Sequence, residues 1–365
     1  MALSNKIKER GFTHMMILFL FLAFFFALGV YSFSAKAQGI ESTQNAGNDP
    51  ESQVSNAEKN IRLVSGLNME ARAVPLHASV NSPYAELKPT LAPGGNRLYF
   101  SRSYHPGNTF GENDAEDIWY SNFDKISATW SEPIRMQGIL NNDGPNFINN
   151  LSMTGDTLIL GNQYGKKGKM RAGLSYSVNK DGQWSSPVSI YIQNDYNISE
   201  HANAFVSLKN GVIIKAIQRC ETFGQRDLYV SFWNGEQATE PINIGGVINT
   251  ELEESSPFLA SDNKTLYFAS KGHVGYGGYD IFVTRRLDDS WTNWTVPENL
   301  GPAVNGELDE EFFSLSHSGK YATFSKQISV HNVDLFKIST QELLAQPARK
   351  NVKLSQKDTS SFVTL

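Results

Sequence analysis

The chain has 365 residues, with 32 basic and 37 acidic side chains and a formal net charge of −5. Residues 1–37 hold four of the basic groups and one acidic group, so residues 38–365 carry 28 basic and 36 acidic groups, a net charge of −8. This acidic balance argues against a nucleic-acid-binding protein, which would carry a basic stripe, and the single cysteine, Cys220, excludes an internal disulfide.

An export signal is predicted at the N-terminus. Three basic residues precede the apolar run from Met15 to Tyr31, and Ala35-Lys36-Ala37 offers a small-x-small cleavage site. This favours a signal peptide over residues 1–37, while an uncleaved membrane anchor stays open because 17 apolar residues approach the length of a membrane span. The polar residues 38–60 predict a disordered linker. We expect Cys220 to be partly sheltered, because an exposed thiol is a liability in an oxidising compartment.

A unit of about 54 residues is repeated in tandem after the linker. Aspartate followed by Ile or Leu recurs at Asp117, Asp227, Asp280 and Asp334, with spacings of 110, 53 and 54 residues. A degenerate copy around residues 158–187 fills the first, double-length gap. A tandem period of this length predicts five copies in a propeller or an array.

The apolar piece of each unit is too short for a helix. Runs such as Leu98-Tyr99-Phe100 and Val212-Ile213-Ile214 are rich in aromatic and β-branched residues, and turn residues such as Pro93-Gly94-Gly95-Asn96 follow or precede them. No amphipathic helix of any length is predicted after residue 60. The predicted fold class is therefore all-β, with four strands in each unit.

The two ends of the repeat region are incomplete in complementary ways. The last unit lacks a fourth strand, and Pro75 to Asn81 resembles the fourth-strand segment Pro297 to Asn305 in its proline and its terminal Val-Asn. An N-terminal strand would thus complete the last blade and remove an open sheet edge. We predict a five-bladed β-propeller over residues 61–340, followed by a polar tail over 341–365.

The strings Glu254-Ser255-Ser256-Pro257-Phe258, Leu266-Tyr267-Phe268-Ala269-Ser270 and Gly275 through Phe282 resemble the WD-like, TolB-type propeller repeat of exported Bacteroidetes proteins. The resemblance covers about residues 80–338 and is strongest in the fourth unit. It implies a periplasmic or surface protein of the cell envelope that binds other molecules without catalysis. Family members often carry an OmpA-like peptidoglycan-binding domain, which is not expected in the short tail, so peptidoglycan anchoring is not carried over.

Residues that obey the repeat are expected to be structural, whereas a functional site is expected to break it. Asp117, Asp227, Asp280 and Asp334 obey it, and each is predicted to accept hydrogen bonds from loop amides within its blade. Three glutamates also obey it, each five residues after an asparagine, and a structural role is favoured over a binding role. The glutamates are Glu86, Glu254 and Glu310, and Asn146 and His201 occupy the corresponding register of the second and third units.

The binding surface is predicted on the propeller face that gathers the connections between blades and the loops between second and third strands. These loops carry mixed charges and aromatic rings, which suits a protein or glycan partner in the envelope. The candidate binding residues are Glu86, His105, Lys166, Lys167, His201, Arg226, Glu254, His273, Tyr276 and Glu310. For any single residue in these loops, simple exposure to solvent without a binding role is an equal alternative.

A glycoside hydrolase with carboxylates across a central funnel is the alternative function. The repetition of one glutamate register argues against it, because an acid and a base need different environments. The seven histidines are scattered, so no metal site is expected, and no cofactor is predicted. The sequence leaves the oligomeric state open, and it predicts contact with a membrane only through an uncleaved signal segment.

Overall fold

Short strands assemble into five antiparallel sheets in the computed structural model, which describes residues 60–165 and 168–344. Each sheet is a meander in which consecutive strands pair as neighbours. The first strand of every sheet contacts the first strand of the next sheet, and the fifth returns to the first. The protein is therefore a five-bladed β-propeller whose first strands surround a central channel, which confirms the predicted fold class.

Every blade has three full strands and a short outer strand. The inner strands of blades 1 to 5 are Ala85–Leu91, Ile148–Leu151, Asn203–Ser207, Glu254–Leu259 and Glu310–Leu315. The second strands are Arg97–Ser103, Thr157–Tyr164, Val212–Ile217, Thr265–Ser270 and Tyr321–Ser329. The third strands are Asp117–Asp124, Met170–Lys180, Asp227–Phe232, Asp280–Arg285 and Asn332–Ser339. The outer strands are Thr129–Trp130 with Ile134–Arg135, Gln183–Trp184 with Val188–Ile190, Ile242–Asn243, Glu298–Asn299 and, in blade 5, Val74–Pro75.

The N-terminal strand closes the ring. Val74 and Pro75 pair antiparallel with Lys337 and Phe336 of the fifth blade. Ahead of this strand, Leu63 forms a parallel bridge to Asn299, the outer strand of blade 4. Val74–Pro75 thus completes blade 5, as the complementary ends of the repeat predicted, and the contact of Leu63 with blade 4 was not predicted.

The core is divided among the blade interfaces. One apolar cluster lies between each pair of neighbouring blades, for example Leu228, Phe268 and Trp291 between blades 3 and 4. The other interfaces have equivalent clusters, including one between blades 5 and 1. Burial on both faces of each sheet explains why the strands do not alternate cleanly between apolar and polar residues.

Helices are nearly absent from the described residues. The helical elements that lie wholly within them are a 3₁₀ turn at Gly111–Asn113 and a short α-helix at Thr340–Leu344, which packs on the last strand. Within residues 60–165 and 168–344, no helix has the length and apolar character needed to cross a membrane. The predicted signal peptide, most of the linker and most of the tail lie outside the described residues, as do Lys166 and Lys167.

Candidate functional site

The propeller has two chemically different faces. We call the face with the second-to-third-strand loops and the connections between blades the long-loop face, and the opposite face the short-turn face. The described parts of the loops of the long-loop face are 104–116, 165 with 168–169, 218–226, 271–279 and 330–331. Its connections are 76–84, 136–147, 191–202, 244–253 and 300–309.

The three repeated glutamates lie at the start of inner strands and are fully buried. In each case the backbone amide four residues earlier donates to the carboxylate. Ser82 N lies 3.0 Å from Glu86 Oε2, Thr250 N lies 2.8 Å from Glu254 Oε2, and Gly306 N lies 2.7 Å from Glu310 Oε2. Asn146 accepts from Asn142 N at 2.7 Å in the same way. These side chains therefore close the turns between blades.

Burial raises the pKa of Glu86, Glu254 and Glu310 to about 7 in each case. Hydrogen bonds to the carboxylate oppose this rise in pKa in all three glutamates. A neighbouring cation also opposes it in two of them: Arg102 lies 3.0 Å from Glu86, and Lys326 lies 2.9 Å from Glu310. The aspartate of the preceding blade raises each glutamate pKa further. Because the environments are repeated, the glutamates are not separated into a low-pKa base and a high-pKa acid.

Asparagine side chains fasten the connections between blades to the third strands. Asn249 Oδ1 accepts from Leu228 N at 2.8 Å, and its Nδ2 donates to Leu228 O at 3.0 Å, as a neighbouring strand would. Equivalent asparagines make the same pair of bonds at three other interfaces: Asn81 to Leu335, Asn141 to Ile118, and Asn305 to Ile281. These asparagines have a structural role in joining the blades, so they are not candidates for a catalytic or binding role.

The aspartate anchors hold the second-to-third-strand loops. Loop amides donate to Asp117, Asp227 and Asp280 from Thr109, Phe223 and Tyr276, over 2.6, 2.8 and 2.5 Å respectively. The fourth anchor, Asp334, differs because its loop has only two residues. Asp334 Oδ1 instead accepts from Asn332 Nδ2 at 3.3 Å.

The candidate Arg226 belongs to a buried network that joins blades 3 and 4. Its guanidinium lies 3.3 Å from Glu253 Oε1, and its Nη2 donates to Tyr279 Oη at 2.7 Å. Tyr279 Oη in turn donates to Glu253 Oε2 at 2.8 Å, and Lys271 lies 3.3 Å from the same oxygen. Sequence reasoning missed Glu253, whose register holds Ala85 in blade 1 and Asp309 in blade 5.

The remaining described candidates are not brought together in one cluster. His105 lies between the rings of Tyr84 and Trp119, and burial lowers its pKa to about 4, with help from the charge of Arg102. His273 is half-buried against Phe268, and burial lowers its pKa as well.

Tyr276 and His201 lie in other places. Tyr276 is half-buried, and its backbone amide belongs to the Asp280 anchor. His201 is exposed in the connection between blades 2 and 3. The described residues contain no group of three or more His, Cys, Asp or Glu side chains that could hold a metal ion.

Exposed apolar side chains are concentrated on the long-loop face. They occur in the second-to-third-strand loops of four blades and in four of the connections between blades. These residues are Tyr104, Phe110, Ile139, Tyr191, Tyr196, Ile198, Phe223, Val247, Leu252, Val274, Leu308 and Val330. The short-turn face has fewer such residues, namely Ile126, Met153, Leu287 and Val296. Sequence reasoning selected the charged residues of the long-loop face and passed over these apolar ones.

Three of these residues lie on two neighbouring segments, the loop 218–226 and the connection 244–253. Phe223 is 57% exposed, and a methyl group on Gly246, the neighbour of Val247, would lie 3.5 Å from its ring. Gln225 N donates to Leu252 O at 3.0 Å, which holds the two loops together. We call Phe223, Val247 and Leu252 the Phe223 patch. Cys220, in the same loop, is exposed, so the expectation of a sheltered thiol is wrong.

A cavity of about 390 Å³ occupies the other half of the central channel. It begins midway along the inner strands and extends to the turns that follow them, so it lies towards the short-turn face. The deepest lining residues of the five blades are Lys88, Asn149, Asn203, Ser256 and Phe312. The cavity and the predicted binding loops are therefore on opposite sides of the ring.

No protein-family model matches the chain, and no curated protein matches it. A solved glycoside hydrolase is 10% identical, with a TM-score of 0.52 over 78% of this chain and 95% of that one. A putative TolB from Agrobacterium tumefaciens is 14% identical, with a TM-score of 0.41 over 72% and 80% of the two chains. The TolB of Acinetobacter baumannii is 11% identical, with a TM-score of 0.40, and this chain spans 72% of its own length and 56% of that protein's. At 10% identity, the likeness to the glycoside hydrolase concerns the fold alone.

Proposed function

We propose that this chain is an exported, non-catalytic binding protein of the bacterial cell envelope that docks a protein partner on its long-loop face. The carrying observation is the concentration of exposed apolar side chains on that face. Large exposed apolar patches on soluble proteins mark interaction sites, and aromatic residues are enriched in interface cores. Export to the periplasm or the cell surface rests on the sequence of residues 1–37.

The Phe223 patch is the proposed centre of the interface. Its residues stand on a rigid support, because Phe223 N donates to the buried anchor Asp227 at 2.8 Å and Asn249 fastens the adjoining connection. Preorganised loops lose little conformational entropy on binding, which favours affinity. A glycan would gain less from this patch, because its three side chains offer no hydrogen-bonding group.

The buried glutamates support a non-catalytic role over the glycoside hydrolase alternative. A glycosidase needs two carboxyl groups that flank the scissile bond and reach the substrate. Glu86, Glu254 and Glu310 are fully buried, and each is bound by the amide of its own turn. Within the described residues that line the channel cavity, Asp156 at the mouth is the one carboxylate.

A crosslinking comparison tests this proposal. Cys220 is the only cysteine and is exposed beside the patch, so a maleimide photocrosslinker attached there probes the proposed interface without further engineering. In native envelopes we expect a discrete crosslinked partner, which a Phe223→Ser, Val247→Ser double variant loses while its melting temperature is unchanged. Ile126→Ser, Leu287→Ser on the short-turn face is the matched control and should retain the partner.

The opposite pattern would overturn the proposal. Loss of the partner in the Ile126→Ser, Leu287→Ser control, with retention in the patch variant, would place the interface on the short-turn face. Hydrolysis of a glycoside that is abolished by a channel variant would establish the enzyme alternative.

A further inference from the structure

We propose that the channel cavity on the short-turn face binds a small uncharged saccharide, a monosaccharide or the end of a longer glycan. The volume of about 390 Å³ lies within the range of roughly 300 to 1,000 Å³ that is typical of small-molecule sites. All five inner strands contribute to the wall, so the site is rigid and needs no partner to form it. This site is separate from the long-loop face and does not depend on the function proposed above.

The charges around the cavity favour a neutral ligand. Lys88 is the only charged side chain at the deep end in the described lining, and its ammonium lies 2.7 Å from Glu116 Oε1 and 4.2 Å from the centre of the Phe147 ring. Its charge is thus already compensated. The other charged lining residues, Asp156, Lys209 and His317, lie in exposed turns at the mouth. The Glu311 carboxylate, beside Ser256, already accepts from the hydroxyls of Ser255 and Ser256 at 2.8 and 3.1 Å. A charged ligand would therefore lose its hydration without gaining an unpartnered opposite charge.

A buried donor favours a ligand with oxygen atoms. Asn149 Oδ1 accepts from Ala204 N at 3.1 Å, which fixes the amide against the next blade. Its Nδ2 is buried and has no hydrogen-bond partner among the described residues. An unsatisfied buried donor costs about 1 to 3 kcal/mol. A hydroxyl or ring oxygen that the amide turned to meet would remove that cost, whereas a wholly apolar ligand would leave it in place.

Aromatic rings supply the apolar part of the wall. Phe205 and Phe258 meet edge to face with ring centres 5.5 Å apart, and both line the cavity as half-buried residues. Phe312, on the inner strand of blade 5, lines the cavity beside Lys88, with the ammonium 4.7 Å from its ring centre. Ser256 and Asn203 stand among these rings. Aromatic faces beside amides and hydroxyls suit a sugar, which presents C–H groups on its faces and hydroxyls around its edge.

Ligand-observed NMR and calorimetry with the purified protein test this assignment. The probes are N-acetylglucosamine, cellobiose, maltose and lactose, with glucuronic acid as a charged comparison and 1-octanol as an apolar one. We expect at least one neutral sugar to bind, and Asn149→Asp to weaken it about tenfold, because this variant keeps the oxygen for Ala204 N and loses the Nδ2 donor. Phe258→Leu should weaken binding by a similar factor without introducing a charge. Phe223→Ala, on the long-loop face, should leave it unchanged.

Three results would overturn the assignment. The first is no binding of any neutral sugar up to its solubility limit. The second is preferential binding of glucuronic acid or octanol. The third is full affinity in both Asn149→Asp and Phe258→Leu when their melting temperatures match that of the parent. Because the two proposed sites lie on opposite faces, loss of partner crosslinking at Cys220 would leave the sugar titration unaffected.

Discussion

Replacing Leu76 by alanine tests whether the ring is closed by the N-terminal strand. Leu76 follows directly after Val74–Pro75 and is 5% exposed. Its side chain packs in the cluster between blades 5 and 1 with Val80, Leu98 and Leu335, and its amide donates to Leu335 O at 2.8 Å. The substitution leaves that backbone bond in place and removes only the packing across the closure.

The expected loss of unfolding free energy is about 3 kcal/mol, within the range of about 2 to 5 kcal/mol for Leu→Ala in packed cores. For a domain of this size, that loss corresponds to a fall in melting temperature of roughly 6 to 12 °C. The matched control is Leu287→Ala, because Leu287 is 58% exposed in the third-to-fourth-strand connection of blade 4. Its effect should stay within about 0.5 kcal/mol.

Urea denaturation followed by tryptophan fluorescence measures both variants. Trp119, one of six tryptophans, lies in the same cluster as Leu76, so part of the emission reports on this interface. We expect the midpoint to fall in Leu76→Ala and to stay in Leu287→Ala, with the same dependence on urea. Equal midpoints for the two variants would refute the packed closure, because a detached N-terminal strand would make Leu76 as dispensable as a surface leucine.

Further perturbations probe the repeated elements. Deletion of residues 61–80 should expose the edge of blade 5 and cause aggregation or a large loss of thermal stability, measured by light scattering during melting. Because burial raises the folded-state pKa of Glu254 from 4.5 to about 7, its contribution to stability is complete below pH 4.5 and is lost as the pH rises towards 7. Melting temperatures of the parent and of Glu254→Gln, compared between pH 4.5 and 8, should therefore diverge in favour of the variant as the pH rises, and a constant difference would contradict this. Asp280→Ala should cost about 1 to 3 kcal/mol through the loss of its loop amide bond, whereas Asp289→Ala, with a fully exposed side chain paired to Arg286, should cost about 1 kcal/mol or less; equal denaturation midpoints would count against the anchor role. Gly277→Ala should destabilise the protein, because its Cβ would approach the Glu307 carbonyl to 2.2 Å, and an unchanged melting temperature would show that the loop moves aside at little cost.

The sequence predicted the ring because the same physical requirements recur in most blades. A Cβ on Gly224 or Gly277 would collide with the backbone of the next connection, which favours glycine at both positions. Asparagine recurs at Asn249 and Asn305 because its side-chain amide bonds the backbone of a third strand where no neighbouring strand does so. Such requirements are local and periodic, so a single sequence displays them as a repeated motif, and the incomplete ends then predict the closing strand.

The candidate site could be predicted less well, because the exposure of a side chain and its contacts with distant residues do not repeat along the sequence. Arg226 belongs to a charged loop in the sequence, but Glu253 and Tyr279 of the next blade bury it. Cys220 was expected to be partly sheltered because an exposed thiol is easily oxidised, but it is exposed in its loop. The channel cavity depends on a bulge in the inner strands, where Lys88 and Ser256 have φ values of 55° and 50°. Neither residue type signals a left-handed conformation, so the sequence gives no sign of it.

The distribution of repeated and unrepeated residues indicates where function can reside in this ring. A position that serves the blade interfaces carries the same residue in most blades, as asparagine does at the connections. The deep end of the channel behaves differently, because the five blades place lysine, asparagine, asparagine, serine and phenylalanine there. A symmetric structural task would not produce such a set, whereas an asymmetric ligand contacts each blade through a different part of its surface. The same argument applies to the Phe223 patch. The backbone of Phe223 is held by Asp227, which obeys the repeat, and Leu252 O accepts from Gln225 N of the same loop. The exposed side chains of Phe223 and Leu252 can vary because no blade interface depends on them.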